Sequence, residues 1–312
     1  MKKMLKVLGF ILLALVAAAA VFLVVLAMIP AAPRRYWEDI DTDAAIESKY
    51  NALGSYTVAT RKYDAPQDDS DKDSNFYQVW YPEEEGTYPL VVMVNGSGIP
   101  CNKYEAVFEH FASWGYVVIG NNYGTNWDGQ HASETLDFAL STEEIAQMVD
   151  PSRIAIGGHS QGGMGTFSAI TEHDNGSRYS VAFSISPTYA ELALGLHWSF
   201  GQGEDQYAFR LEEIEIPMLL LAGTGKADSQ TISPLVAMER EYSQLAGDKA
   251  MFRRADDVDH GQMLYESNGY VIAWLDYYLK GVEENESAFY TDDAELSSNP
   301  RYQDFRSNRQ SD

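Results

Sequence analysis

The chain has 312 residues, with 22 Lys and Arg against 46 Asp and Glu, a formal net charge of −24 at pH 7. Five of the basic residues lie within the first 35 positions, so the remainder has 17 basic against 46 acidic side chains, a net charge of −29. Such a surface repels phosphate backbones and argues against nucleic acid as a partner. The single cysteine, Cys101, excludes an internal disulfide.

An uncharged apolar stretch of 23 residues covers positions 7–29. As a helix it would be about 35 Å long, enough to cross a hydrocarbon core of about 30 Å. Three lysines and the amino terminus precede it and two arginines follow it, which favours a cytoplasmic N-terminus. We therefore predict that residues 1–35 form a cytoplasmic stub and an uncleaved transmembrane signal anchor. The alternative is secretion after signal cleavage, but the run is longer than a cleaved signal needs.

Strand-like and helix-like segments alternate through the rest of the chain. The predicted strands cover 55–60, 75–81, 89–94, 116–121, 153–156, 180–185, 217–222 and 250–253. The predicted helices cover 103–114, 133–149, a run of small residues that begins near 162, 233–245 and 262–279. Several strands are unbroken apolar runs, as in a mostly parallel sheet with helices on both faces. We predict one α/β domain over 36–285, with an insert at about 186–216 and a loosely packed, acidic tail over 286–312.

The segment Gly158-His-Ser-Gln-Gly162 lies between a predicted strand and a predicted helix. It matches G-x-S-x-G, a sharp strand-to-helix turn that holds its serine in a strained conformation. Glycines flank the serine because side chains at those positions would collide. Ser160 is therefore the predicted nucleophile, at the C-terminal edge of the sheet. A glycine-rich turn with a surface serine is the alternative, and His159 is expected to pack beside the turn.

A nucleophilic serine needs a base and a carboxylate that orients the base. His260 follows the last predicted strand and precedes the last helix, so it is the predicted base, with His197 as the alternative. Asp228, in the loop after strand 217–222, is the predicted acid. The order Ser160, Asp228, His260 is the one found in α/β-hydrolases. Three further aspartates close to His260 are predicted to be solvated: Asp256, Asp257 and Asp259.

Two backbone N–H groups are predicted to bind the oxyanion of an acyl intermediate. One belongs to Gln161, the residue after the nucleophile. The other belongs to Ser97, because Asn95-Gly-Ser-Gly98 is glycine-rich where the backbone must approach a ligand. An ordinary tight turn at 95–98 is the alternative.

With these residues the chain resembles the α/β-hydrolase superfamily over about 55–285. Within that superfamily it is most similar to the cutinase, polyester-hydrolase and chlorophyllase-like branch, which overlaps dienelactone-hydrolase-like enzymes. The resemblance rests on the 95–98 and 158–163 segments, on the spacing of Asp228 and His260, and on Ala273-Trp-Leu-Asp-Tyr-Tyr-Leu-Lys-Gly281. It implies the α/β-hydrolase fold. Two features depart from the family: Asn95 replaces the frequent His or Pro, and one cysteine cannot form the C-terminal disulfide of secreted polyesterases.

The insert at 186–216 is rich in aromatic residues, and in this superfamily an insert there commonly caps the site. Trp198 from the insert, with Tyr123 and Trp127 from the loop after strand 116–121, could line an apolar acyl pocket. The alternative is that these aromatic residues only pack the insert onto the domain.

The sequence thus predicts a membrane-anchored, extracytoplasmic serine carboxylic-ester hydrolase that uses no metal or organic cofactor. Its partners would be an ester substrate, small or polymeric, and the membrane. Acyl transfer to a cell-envelope acceptor and a non-catalytic binding module on the same fold are the alternatives. The sequence assigns neither the ester nor the oligomeric state.

Overall fold

The computed structural model describes residues 31–65, 75–200 and 209–309, with only the backbone for 196–200. The predicted membrane span at 7–29 lies outside these residues, as does most of the acidic loop at 64–73. Within the described ranges no helix is long and apolar enough to cross a membrane.

One nine-stranded sheet organises the described residues, in the order β1-β2-β4-β3-β5-β6-β7-β8-β9. The strands are β1 Val58–Asp64, β2 Phe76–Pro82, β3 Tyr88–Val94, β4 Val117–Asn121, β5 Val149–His159, β6 Val181–Ile185, β7 Met218–Gly223, β8 Lys249–Arg254 and β9 Tyr302–Ser307. The six strands from β4 to β8 in this order pair in parallel, and β1, β2 and β9 add antiparallel edges. The sheet is therefore mixed and mostly parallel, as predicted.

Helices follow most of the parallel strands, which is the connection that parallel pairing requires. They are α1 Ala45–Asn51, α2 Glu105–Ser113, α3 Gln130–Ser141, α4 Glu143–Ala146, α5 Gln161–Thr171, α6 Ala190–Phe200, α7 Leu235–Gln244, α8 Met263–Glu266, α9 Asn268–Lys280, α10 Glu286–Phe289 and α11 Glu295–Ser298. Short 3₁₀ segments and one π-helical turn connect them: Tyr36–Glu38, Cys101–Tyr104, Asp174–Arg178, Leu211–Glu213, Glu283–Asn285 and the π turn Asp228–Ile232.

Both faces of the sheet are covered. Alternate residues of a strand point to opposite faces, and neighbouring positions of β6 contact different helices. Phe183 stacks on Phe111 of α2, whereas Ala182 belongs to the core cluster that includes Leu136 of α3 and Phe167 of α5. This two-sided burial explains why the central strands read as continuous apolar runs rather than as alternating patterns.

The register of the parallel strands brings their carboxyl ends level with one another. Val94 pairs with Gly158, His159 with Ile185, Ile185 with Leu221, and Gly223 with Arg254. The loops after β3, β5, β6, β7 and β8 consequently meet at one edge of the sheet, where α/β proteins place their ligands.

Two predicted helices are interrupted in the structure. The helix predicted at 133–149 ends at Ser141, because Thr142 is extended (φ −81°, ψ 112°), and β5 already begins at Val149, which pairs with Tyr88. The helix predicted at 262–279 is divided at Ser267 into α8 and α9. Both predicted boundaries were wrong because helical periodicity cannot reveal a single non-helical residue.

The C-terminal segment is not the loosely packed tail that its polar composition predicted. It forms α10, α11 and β9, and β9 pairs antiparallel with β8 at the edge of the sheet. Phe289, Tyr290, Leu296 and Tyr302 are buried. The Glu295 carboxylate accepts the N–H groups of Ile46 and Glu47, at 2.8 and 3.0 Å, which fastens the segment to α1. A few well-spaced apolar residues suffice to bury this segment despite its charge.

Candidate active site

Ser160 lies at the turn between β5 and α5, with φ 60° and ψ −121°. A non-glycine residue at this φ is strained, and such strain persists only where the surrounding structure imposes it. The surroundings leave no room for side chains on either side. A Cβ on Gly158 would lie 2.1 Å from the Gly162 carbonyl oxygen, and one on Gly162 would lie 2.1 Å from the Val94 carbonyl oxygen. The first turn of α5 packs tightly against Gly158 and against the end of β3, which explains both glycines of the motif.

Asp228 and His260 meet at the same edge of the sheet. Asp228 follows β7 and is fully buried, and His260 follows β8 and is half-buried. The His260 Nδ1 atom lies 2.7 Å from Asp228 Oδ1. Because an ionised carboxylate only accepts hydrogen bonds, Nδ1 carries the proton and Nε2 is left as an acceptor. This is the tautomer that a general base requires.

The Asp228 carboxylate has three donors. His260 occupies Oδ1, while Oδ2 accepts the Ser186 hydroxyl at 2.5 Å and the Gly223 N–H at 2.7 Å. Burial by itself would raise the pKa of Asp228, but these hydrogen bonds and the charge of His260 outweigh it, so the pKa lies below its usual value. The buried acid is thus held ionised and in one orientation.

His159 packs beside the turn, as predicted, and contacts the loop of His260. Its ring centroid lies 4.4 Å from that of His260, and its Nε2 atom lies 2.9 Å from the His260 carbonyl oxygen. Burial lowers the pKa of His159 to about 3, and the nearby His260 contributes to the same shift. His159 is therefore neutral, and its Nε2–H donates to that carbonyl.

Asp259 is exposed, as predicted for the aspartates near His260, but its carboxylate also binds the backbone. Its Oδ1 atom accepts the His260 N–H at 2.9 Å and the Ala227 N–H at 3.0 Å, which links the loop of the base to the loop of the acid. The two loops are in close contact, since a Cβ on Gly225 would lie 2.7 Å from the Asp259 Cα. Asp256 and Asp257 are exposed, as expected.

The 95–98 segment forms a turn beside the start of α5, in which Asn95 and Gly96 are buried and Ser97 and Gly98 are exposed. Gly96 donates its N–H to the Tyr104 hydroxyl at 2.9 Å, and Gly98, at φ 64°, donates to the Gly124 carbonyl at 3.1 Å. Between them, the Ser97 N–H makes no hydrogen bond to the residues that the structure describes. Gln161 is the first residue of α5, so its N–H has no helical acceptor. Within the part of the chain that the structure describes, neither predicted oxyanion donor has an acceptor.

Asn126 connects these two segments and was missed by sequence reasoning. It is fully buried, and its N–H donates to the Gln161 side-chain oxygen at 3.2 Å. Its side-chain amide reaches the Asn95 carbonyl at 3.4 Å. No motif marks Asn126, because its role depends on two distant loops.

Of the residues predicted to bind substrate, Tyr123 and Trp127 are described, and both are packed against other side chains. Tyr123 is buried in the core, where it stacks on His131 with ring centroids 3.8 Å apart. Trp127 is mostly buried and packs against Met164 of α5 and Ala193 of α6. These two rings therefore pack the insert and the loop onto the domain. The side chain of Trp198 lies outside the described residues, as does that of His197.

Parts of the chain are similar in sequence to known proteins. Residues 47–190 match the chlorophyllase family model. Cutinase 2 of Thermobifida cellulosilytica is 25% identical over 171 residues, which are 53% of this chain and 56% of that protein. Cutinase cut1 of Thermobifida fusca is also 25% identical, over 53% of this chain and 46% of its own length. Chlorophyllase-1 of Citrus unshiu is 24% identical over 31% of this chain and 32% of its own length. The match spans about half the length of the cutinases. Together, the fold and these matches show that the chain is similar to α/β-hydrolases of the cutinase and chlorophyllase type.

Proposed function

We propose that this protein is a serine carboxylic-ester hydrolase that acts through a covalent acyl-enzyme. The observation that carries the proposal is the hydrogen bond of 2.7 Å between His260 and the buried Asp228, on loops that meet beside the strained Ser160. The relatives named cutinase and chlorophyllase support an ester substrate.

In the proposed reaction the Ser160 oxygen attacks the ester carbonyl while His260 Nε2 takes its proton. Asp228 stays ionised, holds the proton of the imidazole on Nδ1 and stabilises the imidazolium that forms. The imidazolium then protonates the leaving alcohol. Water, activated by the same nitrogen, hydrolyses the acyl-enzyme and restores Ser160.

The N–H groups of Ser97 and Gln161 are the proposed donors to the oxyanion of each tetrahedral intermediate. Donors that are fixed before the reaction stabilise the developing charge without reorganising, and the loss of one typically costs about 2.7–4 kcal/mol in the transition state. The hydrogen bonds of Gly96, Gly98 and Asn126 hold the two segments that carry these donors.

The test is hydrolysis of a chain-length series of p-nitrophenyl esters by the full-length protein, with Ser160→Ala as the critical variant. We expect kcat to fall by several orders of magnitude without a change in folding, and a fluorophosphonate to label Ser160 alone. Ser243→Ala on α7, an exposed serine, serves as the matched control. Labelling elsewhere, or activity in Ser160→Ala, would contradict the mechanism. Separation of free acid from transferred acyl products distinguishes hydrolysis from acyl transfer.

We further propose that residues 7–29 anchor the domain in a membrane, with the catalytic residues on the extracytoplasmic side. The length of the apolar run and the lysines before it support this orientation. N-terminal sequencing of the membrane-extracted protein is expected to return the original start. A mature N-terminus near Ala31 would instead indicate a cleaved signal.

A further inference from the structure

We propose that Ser186 is a positioning residue for the acid and base of the site, through the hydrogen bond between its hydroxyl and the Asp228 carboxylate. The inference rests on the proposed function and adds a residue to it. Ser186 is the first residue after β6 and is fully buried. No motif links it to Asp228, which lies 42 residues further along the chain.

The carboxylate contacts show what the hydroxyl adds. Gly223 and Ser186 both donate to Oδ2, and His260 takes Oδ1. With the Gly223 N–H as the only donor on Oδ2, the carboxylate could rotate about its Cβ–Cγ bond. A second donor from a different strand end restricts that rotation. Oδ1 is thereby directed at Nδ1, which keeps the proton of the imidazole on that nitrogen.

The backbone of Ser186 supports a role for the side chain itself. Its φ is 46°, in the left-handed region that favours glycine. Its N–H donates to the Leu221 carbonyl at 2.6 Å, so the end of β6 is tied to β7 in this conformation. Glycine would satisfy this backbone without strain but would supply no donor to Asp228. Strained non-glycine residues of this kind cluster at functional sites.

Among the described residues, other titratable groups lie on the strand end and loops around the Asp228–His260 pair. His159, from the end of β5, is neutral because burial and His260 lower its pKa to about 3. Asp259 lies on the loop of the base and binds backbone N–H groups, and Lys226 on the loop of the acid is exposed. Loss of the Ser186 hydroxyl would therefore act mainly on the pair itself.

The sign of the effect on pH dependence follows from the lost donor. The Ser186 hydroxyl helps to lower the pKa of Asp228, so removing it raises that pKa. A more basic carboxylate stabilises the protonated imidazole that it binds more strongly. The acid limb of the kcat/KM profile reports on this pair of groups, so it should move to higher pH.

The experiment compares Ser186→Ala with Ser186→Gly in the full-length protein. Both variants lose the hydroxyl, but only glycine relieves the left-handed strain, so its Tm should equal or exceed that of the alanine variant. We expect both to lose kcat by roughly 10- to 100-fold, with little change in KM and with the same upward shift of the acid limb. Ser184→Ala is the matched control, because this buried serine of β6 donates to the Gly163 carbonyl rather than to Asp228.

A purely structural role predicts a different result. Activity would then follow the folded fraction, recover in Ser186→Gly and leave the acid limb in place. That outcome would overturn the proposal even if Ser186→Ala failed to fold. Failure of the proposed function is distinguishable, since the wild type would then hydrolyse no ester and fluorophosphonate would leave Ser160 unlabelled.

Discussion

Replacing Asp228 with asparagine should abolish most activity because of how the two carboxylate oxygens are bound. An amide has one acceptor end and one donor end. With its oxygen at the Oδ2 position, it keeps the Gly223 N–H at 2.7 Å and the Ser186 hydroxyl. Its NH₂ group then faces His260 Nδ1, which must lose its proton to accept. The protein therefore selects the amide orientation that enforces the wrong imidazole tautomer.

The size of the effect follows from the same contacts. The reverse orientation would set the NH₂ group against the Gly223 N–H and leave a buried donor unpaired, at about 1–3 kcal/mol. Loss of the charge-assisted bond to the imidazolium adds about 1.5–3 kcal/mol. Together these give about 2.5–6 kcal/mol, or a fall in kcat of roughly 10²- to 10⁴-fold.

The assay is kcat for a short p-nitrophenyl ester at one neutral pH. Asp256→Asn and Asp257→Asn are the matched controls, because both side chains are exposed and their φ angles of 61° and 55° suit asparagine. We expect each control to stay within about twofold, since solvated carboxylates affect a nearby histidine weakly. The assignment of the acid is wrong if Asp228→Asn keeps kcat within tenfold or if a control is the inactive variant.

Three further predictions follow from single contacts. Asp259→Ala should lower kcat, because the side chain accepts two backbone N–H groups. Asp259→Asn should keep kcat near that of the wild type, because an amide oxygen can accept the same two hydrogen bonds. An equal loss of kcat in both variants would indicate that the charge of Asp259 is needed. Gly162→Ala should lower the free energy of unfolding by several kcal/mol and abolish activity, because its Cβ would overlap the backbone of β3. Gly124→Ala is the control, because a Cβ there has open space around it, and it should change neither the thermal melt nor the activity. Burial raises the pKa of Glu241 to about 8, so the folded state holds a proton that the unfolded state releases above about pH 4.5, and stability falls as pH rises towards 8. The Tm of Glu241→Gln should therefore rise relative to that of the wild type as pH increases from about 4.5 to about 8. A Tm difference that stays constant with pH would show that Glu241 is not held protonated in the folded state.

Much of the fold could be predicted from the sequence because its signals are local. A buried parallel strand needs a run of apolar residues, and a strand-to-helix turn needs glycines beside its serine, so β3 to β8 and the turn at Ser160 were predicted within a few residues. The prediction failed where the outcome depended on distant partners. The C-terminal segment is polar, and it is the surfaces of α1, β8 and α9 that make its burial favourable. Tyr123 was predicted to line a pocket, yet His131 stacks on it in the core.

The candidate site divides in the same way. Residue type and position after a strand end were enough to select Ser160, Asp228 and His260, because parallel strands must bring their carboxyl ends to one edge. Which other groups hold the acid was decided by the register of β6, β7 and β8, which no local pattern encodes. Ser186 and Gly223 reach the same carboxylate oxygen only because strand ends far apart in sequence are level in the sheet. Hydrogen bonds of this kind depend on tenths of an ångström between loops, and only the packed chain sets such distances.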